Sequence, residues 1–596
     1  MLGVRWTAAA CLVATGLGCK THLPELEVDL GYGVYEGYYN DTFDLNIWKS
    51  IRYAAPPTGK LRWQAPEDPP TNRSGTIPAT EQPPICPQTG AYGVPDSYGF
   101  TSGYGDEDCL YLNVYSAPNA SALPVLVWIH GGGYSKFGAV YDPSVWINTN
   151  DNGFIVVEIQ YRLGAFGFLA SSDIQANGVL NAGLLDQRFA LEWVQKHIDK
   201  FGGDPSRVTI GGESSGAGSV MYHALAYGGT DVKLFNNIIA ASPYTPPVYK
   251  YDDTVPTTFY DAFVDLVGCR QNVTYARNYS SVFQCLVNTD TLLLQNASGT
   301  VSTTYGYFGS FAFLPVIDGD YVRDRPSQQL QAGKVNGKRI LVGNNANDGV
   351  PLTNPDVDTF LEYDEFIANT FPLFNTSDVS SLNSIYQLAT AQEGDDAVRF
   401  DTLGDSGRTA LTVSEMATGL QQTVFDIAAE SVFDCPAQWL AEAFGTNSHR
   451  AWKYQYSVTP AYHGADLSAY FAVGATVPNE DFRTAFQKMW GNFIIYDAPV
   501  ISIEDATAGY PNATTPVGEN GQIDWPAFTL SEPWQLDLNT TGGSLTQVTV
   551  TPNLSYYERL EPGIVNKFRL VNALSWEGGR GSRCDFWRNI SSKVPF

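Results

Sequence analysis

Arg207-Val208-Thr209-Ile210-Gly211-Gly212-Glu213-Ser214-Ser215-Gly216-Ala217 runs from a short β-branched segment into a Gly-x-Ser-x-Gly pentapeptide, and then into a helix-like stretch, Ala217–Ala226. A serine between two glycines at a strand-to-helix turn has a physical rationale. The turn is so tight that its central residue takes a strained backbone conformation, and the flanking glycines remove Cβ atoms that would clash. Ser214 Oγ is thereby held exposed above a sheet, at a helix N-terminus whose dipole favours negative charge. Alone, the pentapeptide is a weak signal, because Gly and Ser are common. Its strand and helix flanks give it weight.

Outward from this turn the first half of the chain alternates strands with helices. Val125–Ile129 (VLVWI) is a continuous apolar run, and Phe154–Tyr161, Arg207–Ile210, Ile238–Ala241 and Arg339–Val342 repeat the pattern. Runs this short and apolar are what strands buried on both faces look like. Between them Ala190, Val194 and Ile198 form one apolar stripe, predicting a helix over about 186–201. Strand and helix in alternation predict an α/β fold, a mainly parallel sheet covered by helices. Segments 245–310 and 355–435 lack that rhythm and read as excursions over the sheet edge. Residues 500–560, rich in Thr, Gly, Pro and Asn, read as surface loops and short strands. With no internal repeat or convincing linker, residues 20–596 are expected to form a single domain.

A second element supports the first. His130-Gly131-Gly132-Gly133-Tyr134 follows VLVWI. In isolation a glycine run after a strand is a turn. Beside a nucleophile elbow it has a specific use, since backbone N–H groups can aim at a developing oxyanion only where no side chain blocks approach. Gly132, Gly133 and Ser215 are the candidate donors.

With these segments in hand the chain resembles a type-B carboxylesterase of the carboxylesterase–cholinesterase–fungal lipase group, which has the α/β-hydrolase fold. Ile51-Arg52-Tyr53-Ala54-Ala55-Pro56-Pro57-Thr58-Gly59 resembles the group's N-terminal stretch, and Glu107-Asp108-Cys109-Leu110-Tyr111-Leu112-Asn113 its second signature. Asp186-Gln187-Arg188 and Phe201-Gly202-Gly203-Asp204-Pro205 lead into the serine signature as in the family. The resemblance implies a triad in the order Ser, acid, His: Ser214, then Asp348 before Gly349, where many relatives carry Glu, then His463 in Tyr462-His463-Gly464-Ala465-Asp466. Without the resemblance His463 reads equally well as a structural loop histidine. His22, His197, His223 and His449 fit the pattern less well. Residues 343–349 superficially look like a calcium loop, but Ala346 stands at a ligand position. Glu213 is expected to be a buried, ion-paired support. Two departures are Ser215 for the usual Ala, which leaves the backbone N–H intact, and Gln160 for the usual Asn before Tyr161-Arg162.

Eight cysteines are present, two of them (Cys11 and Cys19) in or near an N-terminal leader. The six others allow 15 connectivities, so arithmetic does not choose. The resemblance implies Cys86–Cys109, Cys269–Cys285 and Cys435–Cys584. The leader itself, one Arg followed by the apolar run Trp6–Gly18, fits a secretory signal peptide over 1–19. Sequons begin at Asn40, Asn72, Asn119, Asn272, Asn278, Asn296, Asn375, Asn512, Asn539, Asn553 and Asn589. Each one used must lie at the surface. A secreted, extracellular glycoprotein is the simplest reading.

With 35 basic and 62 acidic residues the formal net charge is −27, which repels nucleic acid phosphates and anionic membranes. No later apolar run reaches spanning length, so neither nucleic-acid binding nor stable membrane insertion is expected. The oligomeric state is not legible. The expectation is a serine carboxylic-ester hydrolase acting on small-molecule esters through an acyl-enzyme, requiring no metal and no cofactor. An interfacial triacylglycerol or sterol-ester lipase is the alternative within enzymes. A catalytically inactive, cholinesterase-like adhesion protein is the alternative from another class. Against the lipase, the loop between Cys86 and Cys109 holds 22 residues with five glycines, two prolines and no leucine, a poor amphipathic lid. Against a cholinesterase, that loop has no Trp for a choline group.

Overall fold

The computed structural model describes residues 26–94, 104–230, 233–270, 276–386, 414, 416–446, 448–472, 479–508 and 514–594. The leader lies outside the described residues.

Fourteen strands form in chain order: β1 (Glu27–Asp29), β2 (Val34–Glu36), β3 (Tyr38–Asn40), β4 (Leu45–Arg52), β5 (Thr76–Pro78), β6 (Tyr111–Ser116) and β7 (Leu123–Ile129), then β8 (Ile155–Ile159), β9 (Gly203–Glu213), β10 (Asn237–Ala241), β11 (Arg339–Asn345), β12 (Arg450–Tyr456), β13 (Trp534–Thr551) and β14 (Leu554–Asn572). Eleven of them build one sheet in the order β14-β13-β12-β11-β10-β9-β7-β8-β6-β4-β3. The centre, from β8 to β13, is parallel, and antiparallel pairs close both edges. This is the α/β-hydrolase fold.

The apolar runs become central strands because both faces of the sheet are covered. Val125, Val127 and Ile129 of β7 enter the core on one face, and Leu126 and Trp128 the core on the other, the two-residue alternation of a strand. The second face is strongly aromatic: Trp128 packs on Phe471 with ring centroids 5.1 Å apart, and Tyr470 stacks on Trp490 at 4.6 Å. The helix predicted over 186–201 spans Ala182–His197 and tightens into a 3₁₀ turn, Ile198–Phe201. Charges in the family-like segments are ion-paired: Arg52 with Asp108, Arg62 with Glu107 and Arg162 with Asp186. Gln160 donates from Nε2 to Pro84 O at 3.2 Å and accepts from Ala139 N at 3.2 Å, tying two loops to the end of β8. Disulfides join Cys86 to Cys109, Cys269 to Cys285 and Cys435 to Cys584.

Two expectations are corrected. Residues 534–572 are not loops and short strands but one long hairpin, β13 and β14, of 18 and 19 residues. Its inner half is buried against β12, whereas beyond Gly542 β13 is largely exposed on both faces and, in the outer half of β14, only its start, Leu554, is buried, so polarity hides the strand from a reading by burial pattern. The tip is anchored: Gln421 Nε2 donates to Asn553 O and Asn553 Nδ2 to Asp356 Oδ1, each at 2.7 Å. Asn539, a sequon residue, is fully buried in β13 and cannot carry a glycan in this fold. Asn72, Asn119, Asn278, Asn296, Asn375, Asn553 and Asn589 are exposed and Asn40 is half-buried, while Asn272 and Asn512 lie outside the described residues.

No helix of the described residues is long and apolar enough to cross a membrane.

Candidate active site

The register of the parallel strands delivers the site. Ile129 pairs with Gly212, Ala241 with both Glu213 and Gly343, and Asn345 with Tyr456. The C-terminal ends of β7, β9, β10, β11 and β12 therefore share one edge, where an open α/β sheet holds its ligands.

Ser214 sits between β9 and the helix Ser215–Gly229 with φ 58° and ψ −127°, the strained conformation expected of an elbow. The turn is also crowded. A Cβ at Gly216 would stand 2.0 Å from Ile129 O, so only glycine lets the helix start pass this close to β7. Gly133, at φ +64°, makes the same point at the neighbouring turn, where a Cβ would collide with the Phe311 ring at 2.2 Å. The amides of Gly132, Gly133 and Ser215 have no backbone acceptor among the described residues.

His463 comes from the loop after β12. Its Nε2 lies 2.8 Å from Ser214 Oγ, and its Nδ1 lies 2.8 Å from Asp348 Oδ1. Asp348 is fully buried, and its Oδ2 accepts from Ser242 Oγ at 2.8 Å and Asn345 N at 2.7 Å. The two loops are stitched together: His463 N donates to Val350 O at 2.9 Å, and Asn345 Nδ2 to Tyr462 O at 2.9 Å and Asp466 Oδ1 at 3.0 Å. Phe433 packs on the imidazole with centroids 4.2 Å apart. Thus all six residues singled out for catalysis or oxyanion binding lie at one edge, and Ser214, His463 and Asp348 form an unbroken relay.

Glu213 is buried as expected, and the partner within ion-pair distance is His463. Among the described residues it is ion-paired to no Lys or Arg. Its Oε1 has no hydrogen-bond partner and stands 3.6 Å from His463 Nε2. Burial pushes its pKa up to about 8, against the pull of His463. Burial also opposes charging of His463, but the Asp348 hydrogen bond and the negative charges of Glu213, Asp348 and Asp466 outweigh it, so its pKa is raised. The other histidines do different work. His223 is bonded on both nitrogens, to Tyr321 and Gln187, and His130 is buried against Tyr161.

Sequence reasoning missed Ser242, Phe433 and Phe311. Ser242 follows β10 directly, so strand register points to it. Phe433 and Phe311 lie in irregular segments that carry no periodic signal. Beyond Phe311 and Tyr244 opens an apolar cavity of about 320 Å³, also lined by Phe168, Tyr249, Phe259 and Phe313.

The model of the carboxylesterase family matches residues 24–556. The chain belongs to the carboxylesterase family. The esterase is 31% identical to carboxylesterase patB of Penicillium expansum over 509 residues, covering 75% of this chain and 83% of that one. It is 29% identical to the secreted triacylglycerol lipase LIP1 of Gibberella zeae, covering 76% and 79%. The structure of Aspergillus niger EstA superposes with a TM-score of 0.72 at 26% identity, covering 97% of this chain and 100% of that one. The protein is a carboxylic ester hydrolase.

Proposed function

We propose that the protein is a secreted serine carboxylesterase that hydrolyses uncharged esters through an acyl-enzyme. The observation that carries this reading is the pair of 2.8 Å contacts running from Ser214 Oγ through the imidazole of His463 to Asp348. Ser214 Oγ attacks the ester carbonyl while His463 Nε2 takes its proton. Asp348 accepts from Nδ1–H, fixes the tautomer and stabilises the imidazolium. The oxyanion is received by the amides of Gly132, Gly133 and Ser215, each of which contributes about 3 kcal/mol in the transition state. His463 then protonates the leaving alcohol, and water repeats the sequence on the acyl-enzyme. Export is supported by three disulfides, bonds that persist in oxidising compartments, and by the secreted lipase among its relatives. The apolar cavity beyond Phe311 suits an uncharged acyl group.

The intact relay disfavours an inactive adhesion protein. The lipase remains the second reading, favoured by that same cavity and by the Gibberella relative. Residues 95–103 of the candidate lid loop lie outside the described residues.

An organophosphate is expected to label Ser214 alone and abolish turnover, with Ser214→Ala unlabelled; labelling at Ser215 overturns the assignment of the nucleophile. Rate against concentration of a short-chain triglyceride is expected to saturate smoothly through the solubility limit. A sharp rise as emulsion forms establishes the lipase instead.

A further inference from the structure

A cavity of about 520 Å³, larger than the one beside the catalytic serine, lies between the loop Leu30–Tyr32, residues 68–71 and the helix Ala182–His197. None of its lining residues belongs to the triad or the oxyanion glycines. Tyr32, Phe189 and Trp193 form its aromatic part. The polar ends of two rings are already engaged, Trp193 Nε1 donating to Tyr32 OH at 2.9 Å and Tyr32 OH to Arg52 O at 2.7 Å; Trp193 itself is buried, so the half-buried rings of Tyr32 and Phe189 supply the carbon surface. Asp68, Glu192 and Lys196 add two negative charges and one positive, which disfavours both a phosphate and a fatty acyl chain. His197 is buried and kept neutral, its pKa pushed down to about 4 by desolvation and by the neighbouring Lys196 and Lys200. Its Nδ1 has no hydrogen-bond partner among the described residues and is closed to solvent, so it offers nothing to the cavity.

Aromatic carbon surface beside carboxylates and an ammonium is the chemistry that holds a pyranose: ring C–H groups lie on the aromatic faces and hydroxyls bond to the polar rim. A source of such a sugar stands at that rim. Thr71 lines the cavity, and the next residue opens the sequon Asn72-Arg73-Ser74. Asn72 N is bonded to Tyr32 O at 2.7 Å, and Asn72 Oδ1 accepts from Ser74 Oγ at 2.8 Å. Asn72 Nδ2, the atom that glycosylation modifies, donates to no group among the described residues, and Asn72 is exposed.

We propose that this cavity is a carbohydrate subsite, filled by the first sugars of an N-linked glycan on Asn72 that pack on Tyr32 and Phe189. Attachment forms a bond from Asn72 Nδ2 to the anomeric carbon of a lipid-linked oligosaccharide. The amide loses one proton and the lipid diphosphate leaves. The inference rests on export through a compartment that holds this donor.

The test uses full-length protein secreted from a glycosylating eukaryotic host. Peptide mapping is expected to find Asn72 occupied. An endoglycosidase that cuts between the first two sugars is expected to release this glycan at least about tenfold more slowly from native than from denatured protein. Phe189→Ala, at a half-buried position, is expected to erase that lag, and Phe189→Leu, which keeps apolar bulk but removes the ring, serves if Phe189→Ala does not fold. An unmodified Asn72, no lag, or a lag untouched by the variants overturns the proposal. Di-N-acetylchitobiose separates the two sources of sugar. It is expected to protect residues 189–197 from hydrogen exchange in Asn72→Gln but not in the glycosylated protein; protection in both assigns the cavity to a free saccharide and overturns the attached one.

Discussion

Two carboxylates flank the imidazole of His463, and the protein treats them in opposite ways. Asp348, at the end of β11, accepts hydrogen bonds from Ser242 Oγ, Asn345 N and His463 Nδ1. Glu213, at the end of β9, is also buried, yet among the described residues its Oε1 has no hydrogen-bond partner and stands 3.6 Å from His463 Nε2. Burial disfavours a carboxylate charge, and hydrogen bonds from the surroundings offset that cost. Where they are lacking the charged form is disfavoured, and the pKa of Glu213 is pushed up to about 8 against the pull of His463. Two acids within reach of one ring are therefore not interchangeable. Asp348 is hydrogen-bonded to the imidazole at Nδ1, whereas Glu213 approaches its Nε2 without a hydrogen bond.

The sharpest way to break this comparison is Asp348→Asn. An amide nitrogen facing Nδ1 reverses the tautomer, so that Nε2 carries a proton and cannot accept one from Ser214. The expected loss in kcat on a p-nitrophenyl ester is on the order of 10⁴. A loss below tenfold shows that the orienting acid lies elsewhere.

Glu213→Gln is the next largest change and tests the other side. Turnover requires a neutral His463, whose pKa is raised in part by the charge on Glu213, so activity falls as pH drops through that raised value. Without Glu213 the imidazole gives up its proton at lower pH. The acid limb of kcat/KM is therefore expected to move to lower pH, and kcat to fall about 30-fold as the nascent imidazolium loses a nearby group able to carry negative charge. An unmoved limb shows that Glu213 does not raise the pKa of His463.

The contrast between these acids also marks how far the sequence was legible. Ser214 and the glycines around it were readable because a strained, crowded turn admits few residues. The central strands were readable because burial on both faces leaves uninterrupted apolar runs, as in Val125–Ile129. β12 was not readable, since Arg450-Ala451-Trp452-Lys453-Tyr454-Gln455-Tyr456 carries polar residues into the centre of the sheet. Lys453 is fully buried there, donating to Asn344 Oδ1 at 3.1 Å and Gln535 Oε1 at 2.8 Å, a solution that exists only once three strands are side by side. Asp348 and His463 were found through resemblance rather than local pattern. That Glu213 Oε1 finds no hydrogen bond among the described residues was invisible, because what fails to approach an atom leaves no mark in its neighbours along the chain.

The finest test removes one of the bonds that distinguish Asp348. Ser242 stands just after β10, and its hydroxyl donates to Asp348 Oδ2 at 2.8 Å while accepting from Asn345 N at 3.3 Å. A hydrogen bond to a charged group contributes about 1.5–3 kcal/mol to stability, but the catalytic cost of losing this one is smaller. Asn345 N still donates to the same oxygen at 2.7 Å, and Oδ1 still faces His463. Ser242→Ala is therefore expected to lower kcat about fivefold, near 1 kcal/mol in the barrier. KM is expected to be unchanged, because the hydroxyl is spent within the protein and meets no substrate. Stopped-flow acylation on a p-nitrophenyl ester reads this directly. A loss near that of Asp348→Asn shows that Ser242 alone positions the acid. An unchanged rate shows that the backbone of Asn345 suffices, and that the two carboxylates are set apart by main-chain geometry rather than by side-chain donors.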